Sequence, residues 1–266
     1  MRQILKRSVQ AAFEILGYRI NRKDLMKVLS DQYDVGRITD WLGFSESKEL
    51  SDFVLGNYKF SKSQLQQDLV AQWNFRANTS NTQKPFFVEF GATDGLTLSN
   101  TYLLEKEFGW DGILCEPGKS WHNRLSENRS SRIDQRCVYS SSGMSVAFME
   151  VVNGELSTIS SFAENDSWAD ARKNSLEYNV ATITLQDLLL ENSAPRKIDY
   201  LSVDTEGSEY EILKKFDFNQ WEIEFISVEH NYTSNREKLH RLLTSYGYSR
   251  KFTSISNWDD WYFKQH

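Results

Sequence analysis

The stretch Phe86-Phe87-Val88-Glu89-Phe90-Gly91-Ala92-Thr93-Asp94-Gly95 constrains the fold of this chain more than any other. Its first half is apolar, aromatic and β-branched, the composition of a buried strand. It then breaks into an acid-x-Gly-x-x-x-Gly loop. Beyond Gly95, the residues Leu96, Leu98, Tyr102, Leu103, Leu104 and Glu105 have the pattern to open a helix. A strand, a glycine loop and a helix start in that order form a turn that can cradle a nucleotide. Glycines let the backbone come close to a ligand, and free N–H groups favour electron-rich atoms.

After this turn, apolar strand patterns alternate with amphipathic helices, the signature of a parallel sheet. Strands are predicted at 111–117, 136–139, 198–204 and 224–230, with helices at 120–127, 209–215 and 235–246, and the stretch 182–190 leads into another helix. Segments 145–152 and 156–160 could pair as a hairpin, and 248–253 with 258–264 as a closing antiparallel pair. The polar stretch 157–170, with Phe162 and Trp168, is long enough for a lid or substrate wall. The expected fold is α/β, a doubly wound, mostly parallel Rossmann-like sheet with an antiparallel C-terminal strand. A helical N-terminal extension over 1–80 precedes this domain of 81–266. Its helices are expected at 1–20, 21–30, 37–53 and 61–73, the last capped by Ser61 or Ser63.

The formal charge of −6 leaves no cation excess to neutralise phosphates, which argues against nucleic acid as a partner. No window approaches the run of about 18 apolar residues that spans a bilayer. The first twenty residues lack a clean signal-peptide core, so a cytoplasmic location is expected. Arg2, Lys6 and Arg7 lie on an amphipathic pattern that suits docking on the domain, on a second subunit of a homo-oligomer, or on an anionic membrane surface. Cys115 and Cys137 sit in apolar runs without metal-ligand spacing and read as buried thiols.

In an open doubly wound sheet, ligands bind beyond the carboxyl ends of the strands. Four predicted strands end in acids at that edge: Glu89, Glu116, Asp204 with Glu206, and Glu229 with His230. A carboxylate at the end of the second strand can hold both hydroxyls of a ribose. The acid beside the glycine turn suits a sulfonium and an α-amino group, whereas it would repel a pyrophosphate. S-adenosylmethionine therefore fits this loop better than a dinucleotide.

The chain resembles the FkbM-type methyltransferases. The likeness rests on Phe87-Val88-Glu89-Phe90-Gly91-Ala92-Thr93-Asp94-Gly95, Ser99-Asn100-Thr101 and Leu104-Glu105. It continues through Gly109-Trp110-Asp111-Gly112-Ile113-Leu114-Cys115-Glu116-Pro117, Thr184-Leu185-Gln186-Asp187-Leu188-Leu189, and Ile198-Asp199-Tyr200-Leu201-Ser202-Val203-Asp204-Thr205-Glu206-Gly207-Ser208-Glu209. Ser63-Gln64-Leu65-Gln66-Gln67-Asp68 is similar to the family's short helix before the first strand, with Gln66 where Gly is expected. The resemblance implies an S-adenosylmethionine cofactor held by Gln67, Glu89, Gly91, Ala92, Thr93, Asp94, Gly95 and Asn100. It also implies ribose contacts from Glu116 and Pro117, an adenine border at Tyr139 and Ser140, and Asp204 at the sulfonium end. O-methylation of a sugar, polysaccharide, glycolipid or hydroxylated natural product is the activity it implies.

Transfer to a hydroxyl needs an aligned nucleophile and a proton acceptor. Asp204, Glu206, Glu229 and His230 are the candidates, and His230 has the ordinary pKa nearest neutrality. Asp204, Glu229 and His230 could alternatively hold Mg2+ or another divalent metal against a diol. Tyr178, Trp168, Phe162 and Tyr232 offer faces on which a small-molecule or glycan acceptor could stack. The competing readings are a non-catalytic binding or assembly module on the same fold and an NAD-dependent oxidoreductase. The oxidoreductase lacks its Gly-x-G-x-x-G spacing.

Overall fold

The computed structural model describes residues 32–78, 84–151, 156–164 and 169–265. The helices expected at 1–20 and 21–30, and Trp168, lie outside the described residues. By its contacts the chain divides into two compact units, 1–61 and 62–266.

In the first unit, the single helix expected over 37–53 is two. Helix α1 (Gln32–Gly43) ends at a glycine, and α2 (Lys48–Asn57) starts from Ser47, whose hydroxyl accepts the Leu50 N–H at 3.3 Å. Such a cap satisfies a donor that the first helical turn leaves free. The Ser51 hydroxyl donates to the Trp41 carbonyl at 2.7 Å, tying the two helices together.

The second unit is built on a seven-stranded sheet. Strands β1 (Phe86–Phe90), β2 (Asp111–Cys115) and β3 (Arg132–Asp134) run to one side. Strands β8 (Lys197–Val203), β9 (Glu222–Glu229), β11 (Asp259–Lys264) and β10 (Tyr248–Lys251) run to the other, in the order β10-β11-β9-β8-β1-β2-β3. The pairs from β9 to β3 are parallel, and β11 lies antiparallel to both β9 and β10. All five residues of β1 are buried, as a central strand covered on both faces requires. Across β8, β9 and β11, Tyr200, Phe225 and Phe263 stack as register neighbours, with centroids 4.9 and 4.7 Å apart.

The third strand departs from expectation. The edge strand of the main sheet is Arg132–Asp134. Cys137–Val138, expected there, forms β4 of a second sheet, ordered β4-β7-β5-β6. Its members are β5 (Ser145–Glu150), β6 (Thr158–Ile159) and β7 (Leu176–Ile183). The β5–β6 hairpin pairs Phe148 with Ile159, as the sequence suggests. Strand β7 has no counterpart among the expected elements: Leu176, Glu177 and Asn179 in its first half are exposed, so it carries little apolar alternation.

Helix α3 (Gln67–Asn78), counted with the extension on sequence, belongs to the second unit. It begins at Gln67, whose N–H is accepted by the Ser63 hydroxyl at 3.0 Å. Gln66, the residue standing where glycine is expected, has φ 62. The helix expected directly after Gly95 starts only at Tyr102, as α4 (Tyr102–Lys106). The remaining helices are α5 (His122–Asn128), α6 (Leu185–Glu191), α7 (Glu209–Leu213) and α8 (Asn235–Ser245).

Candidate active site

The chain leaves β1 toward β2 on one side and reaches β8 on the other, so β1 and β8 flank the point where strand order reverses. A cleft of about 300 Å3 opens there, at the position where open α/β sheets take ligands. Gly91 has φ 71, and a Cβ on it would lie 2.2 Å from the Asp204 carbonyl oxygen. Only glycine lets the β1 turn and the β8 end meet that closely.

Glu89 organises the loop that follows. One carboxylate oxygen accepts the Asn100 N–H at 2.7 Å, and the Ser99 and Thr101 hydroxyls also reach the carboxylate. The fully buried Arg129 guanidinium stands 3.6 Å away and bonds Glu105 at 2.8 Å. Asn100, so placed, accepts from Ser63 at 2.6 Å and donates to Ser202 at 3.0 Å. Gly91, Thr93 and Asn100 border the cleft; Ala92, Asp94 and Gly95 do not. Asp94 instead accepts the Leu96 and Thr97 N–H groups and pairs with Arg124 at 2.9 Å. Gly95 abuts Leu125 and Arg129, each 2.6 Å from where a Cβ would sit. These two residues shape the turn from behind.

Glu116 follows β2 and, with Pro117, lines the cleft. Its two oxygens accept the Thr93 and Gly118 N–H groups at 2.8 and 2.7 Å. Burial pushes its carboxyl up to about 7 and the Glu150 and Asp204 charges add to that, against the pull of the two amides. Glu150 is itself held by Ser120 and by the Tyr178 hydroxyl, at 2.7 Å. Tyr178 thus supports the loop after Glu116, and it does not border the cleft.

The apolar end is made by Cys137, Val138, Phe148 and Ile159. Tyr139 and Ser140, expected at this end, lie outside the lining because Cys137–Val138 joins the second sheet; Tyr139 packs edge-on against Phe162 at 6.2 Å. Cys115 and Cys137 are free, buried thiols, as expected, and burial raises Cys137 to about 12.

Elsewhere in the lining, acids converge. Asp204, Glu206 and Glu229 have oxygens within 4.8 Å of one another. Burial and the Glu209 charge lift Asp204 to about 7, where it hydrogen-bonds Glu229; burial and Asp204 drive Glu229 well above the carboxylate range. Two buried carboxyls so close cannot both ionise readily, so the pair holds a proton near neutral pH. Glu206 pairs with the buried Arg172 at 2.9 Å, and Arg172 also bonds the carbonyls of Leu156 and Ala163. The Glu206 carbonyl accepts the Thr158 hydroxyl at 2.8 Å. These bonds pin residues 156–163 and Arg172 onto the loop after β8.

His230 does not join this cluster. It is 3% exposed and absent from the cleft lining; its Nδ1 accepts the Tyr232 N–H at 2.9 Å, and its Nε2 lies 3.7 Å from Asp260. Burial lowers its pKa to about 4. It is a neutral acceptor, neither a general base at the cleft nor a partner of Asp204 and Glu229 in holding a metal. Asp259 takes the place that sequence reasoning gave to His230. It faces Glu229 across the β9–β11 pair, lines the cleft and is driven to about 8 by burial and Asp204. Gln67 lines the cleft beside it and donates to it at 2.8 Å. Asp259 was missed because it begins an antiparallel strand, where a strand-end rule for parallel sheets does not look.

Six carboxylates therefore border the cleft: Glu89, Glu116, Asp204, Glu206, Glu229 and Asp259. Among the described residues no Lys, Arg or His borders it. A pyrophosphate would find no counter-charge there, whereas a sulfonium and a ribose find acceptors. No helix among the described residues is long and apolar enough to cross a membrane. A comparison with curated proteins finds no match. The model of the FkbM methyltransferase domain matches residues 89–255, a span that runs from the acid of β1 past β10 and takes in five of the six cleft carboxylates. On that match, over more than half of its length, the chain belongs to the FkbM methyltransferase family.

Proposed function

We propose that the cleft binds S-adenosylmethionine and that the protein methylates a hydroxyl of an acceptor entering beside Asp204 and Glu229. The observation that carries this reading is the lining of six carboxylates with no cationic side chain among the described residues. Bound there, the cofactor supplies an electrophilic methyl group on a sulfonium.

The chain's own residues divide the remaining work. Glu116, oriented by the Thr93 and Gly118 amides, keeps lone pairs free to accept ribose hydroxyls. Cys137, Val138, Phe148 and Ile159 offer an apolar slot for a purine. Asp204, brought near 7 by burial and Glu209, is matched to accept the proton that an attacking hydroxyl must lose. The Glu229 neighbour lets that proton be shared. Leu156, Ser157 and Ile159 wall one side of the cleft, and Arg172 holds this stretch by the Leu156 carbonyl.

Isothermal calorimetry with S-adenosylhomocysteine tests the reading, with NAD as the control. Saturable binding of the first alone is expected; its absence in protein shown to carry no copurified ligand would sink the proposal. A divalent cation at Asp204, Glu206 and Glu229 is the second reading, favoured by their convergence within 4.8 Å. Turnover lost in chelator and restored by Mg2+ is the mark of that arrangement.

A further inference from the structure

We propose, building on the methyltransferase reading, that Tyr232 is a stacking platform for an uncharged, hydroxylated acceptor ring and that His230 is the residue that positions it. Tyr232 borders the cleft, yet its side chain stays exposed, at 68%. Its backbone is far from loose. Asn231 and Tyr232 both occupy the left-handed region, at φ 42 and 56, a conformation that non-glycine residues keep only when their surroundings enforce it.

His230 supplies the enforcement. Its Nδ1 accepts the Tyr232 N–H at 2.9 Å, its ring meets the Tyr232 ring edge-on at 5.2 Å, and its carbonyl accepts the Thr233 N–H at 2.8 Å. The His230 and Asn231 N–H groups are in turn held by the Trp258 carbonyl at 2.9 and 3.2 Å. A buried histidine thus holds an exposed aromatic face at the cleft mouth at low entropic cost, the arrangement that lets rigid aromatics bind ligands. Leu98, 39% exposed, borders the same cleft and adds an apolar contact.

The lack of a cation in the lining decides what ring this face takes. Six carboxylates and, among the described residues, no cation border the cleft. A phosphate or carboxylate on the acceptor would find no cationic side chain among the described lining residues to pair with, which is discrimination by an unfavourable element. The C–H face of a neutral polyol ring fits the tyrosine, while its hydroxyls meet acceptors.

Saturation-transfer NMR on the full chain loaded with S-adenosylhomocysteine tests this. The probes are methyl β-D-glucopyranoside and methyl α-D-mannopyranoside against glucuronate and glucose 6-phosphate. The neutral glycosides are expected to bind, and the anions to bind about tenfold more weakly or not at all. Tyr232→Phe keeps glycoside binding and Tyr232→Ala weakens it roughly fivefold or more. His230→Asn, which retains an acceptor near the Nδ1 position, keeps it, and His230→Ala loses it. S-adenosylhomocysteine affinity holds constant in all four variants. Equal binding of the anions, no binding of either glycoside, or an indifferent Tyr232→Ala overturns the proposal. Failure of the wild-type protein to bind S-adenosylhomocysteine overturns the methyltransferase reading instead.

Discussion

Gln67 and Asp259 lie 192 positions apart in the chain and meet in a 2.8 Å hydrogen bond at the edge of the cleft. The bond joins the start of α3 to the start of β11, and so sets the first helix of the second unit against its closing strand. It also leaves an acid in a site where ionisation is unfavourable.

That acid makes stability depend on pH. Asp259 is raised to about 8 by burial and Asp204, so the folded chain keeps a proton that the unfolded chain releases near pH 4. The contribution is full below the unfolded value and fades as pH climbs through about 8. Asp259→Asn keeps the acceptor for Gln67 and removes the titration. The melting temperature of the variant should fall less than that of the wild type between pH 6 and 9. Parallel curves would show that Asp259 does not titrate there.

Glu116→Ala should weaken S-adenosylhomocysteine binding by about tenfold or more, since hydrogen bonds to a charged group contribute about 1.5–3 kcal/mol each. Its carboxyl, raised to about 7 mainly by burial, is a better acceptor once ionised. Wild-type affinity should therefore strengthen from pH 6 to pH 8, and the variant should lose that trend. Calorimetry across this range decides, and an unchanged dissociation constant at pH 8 counts against the assignment.

Two substitutions at left-handed positions should differ in effect. Gln66, at φ 62, is strained relative to glycine by about 1–2 kcal/mol, against an unfolded-state gain for glycine of about 0.5–1 kcal/mol. Gln66→Gly is thus expected to be neutral or to stabilise by up to about 1.5 kcal/mol. Gly91→Ala places a Cβ 2.2 Å from the Asp204 carbonyl oxygen and should destabilise while disrupting cofactor binding. Urea titration of both variants checks the pair; a stable, ligand-competent Gly91→Ala would contradict the close approach.

Arg129→Met leaves Glu89 and Glu105 without the guanidinium that stands 3.6 and 2.8 Å away. Although partial burial raises the Glu105 carboxyl, Arg129 and the hydrogen bonds from Ser131 and Ser130 bring it down to about 2. Removing one partner of a buried pair costs about 3–5 kcal/mol. The urea midpoint should drop with its slope unchanged; a loss below about 1 kcal/mol would place these charges in solvent.

The sequence made the spine of this fold legible and left its branches hidden. Strands β1, β2, β8 and β9 were readable because each is a short apolar run with an acid at or beside its end, and their alternation with helices pointed to a parallel sheet. Strand β7 was not, because Leu176, Glu177 and Asn179 are exposed and give no alternation to detect. The cleft acids Glu89, Glu116, Asp204 and Glu229 were legible by the same strand-end logic. Asp94 and Gly95 mimicked them in sequence while serving the turn from behind, a distinction set by side-chain direction alone. His230 looked like a base by its ordinary pKa, and its burial decided otherwise.

The contacts of Arg172 bear on the order of events in solution. One guanidinium ties the carbonyls of Leu156 and Ala163 to Glu206, so the stretch that carries Ile159, in the slot proposed for a purine, is fastened to an acid of the cluster proposed to face the acceptor. The two halves of the cleft are then not independent compartments. Whatever free energy the first ligand spends or recovers in settling this segment is no longer asked of the second. Donor and acceptor should accordingly alter each other's affinity by the same factor, whichever arrives first.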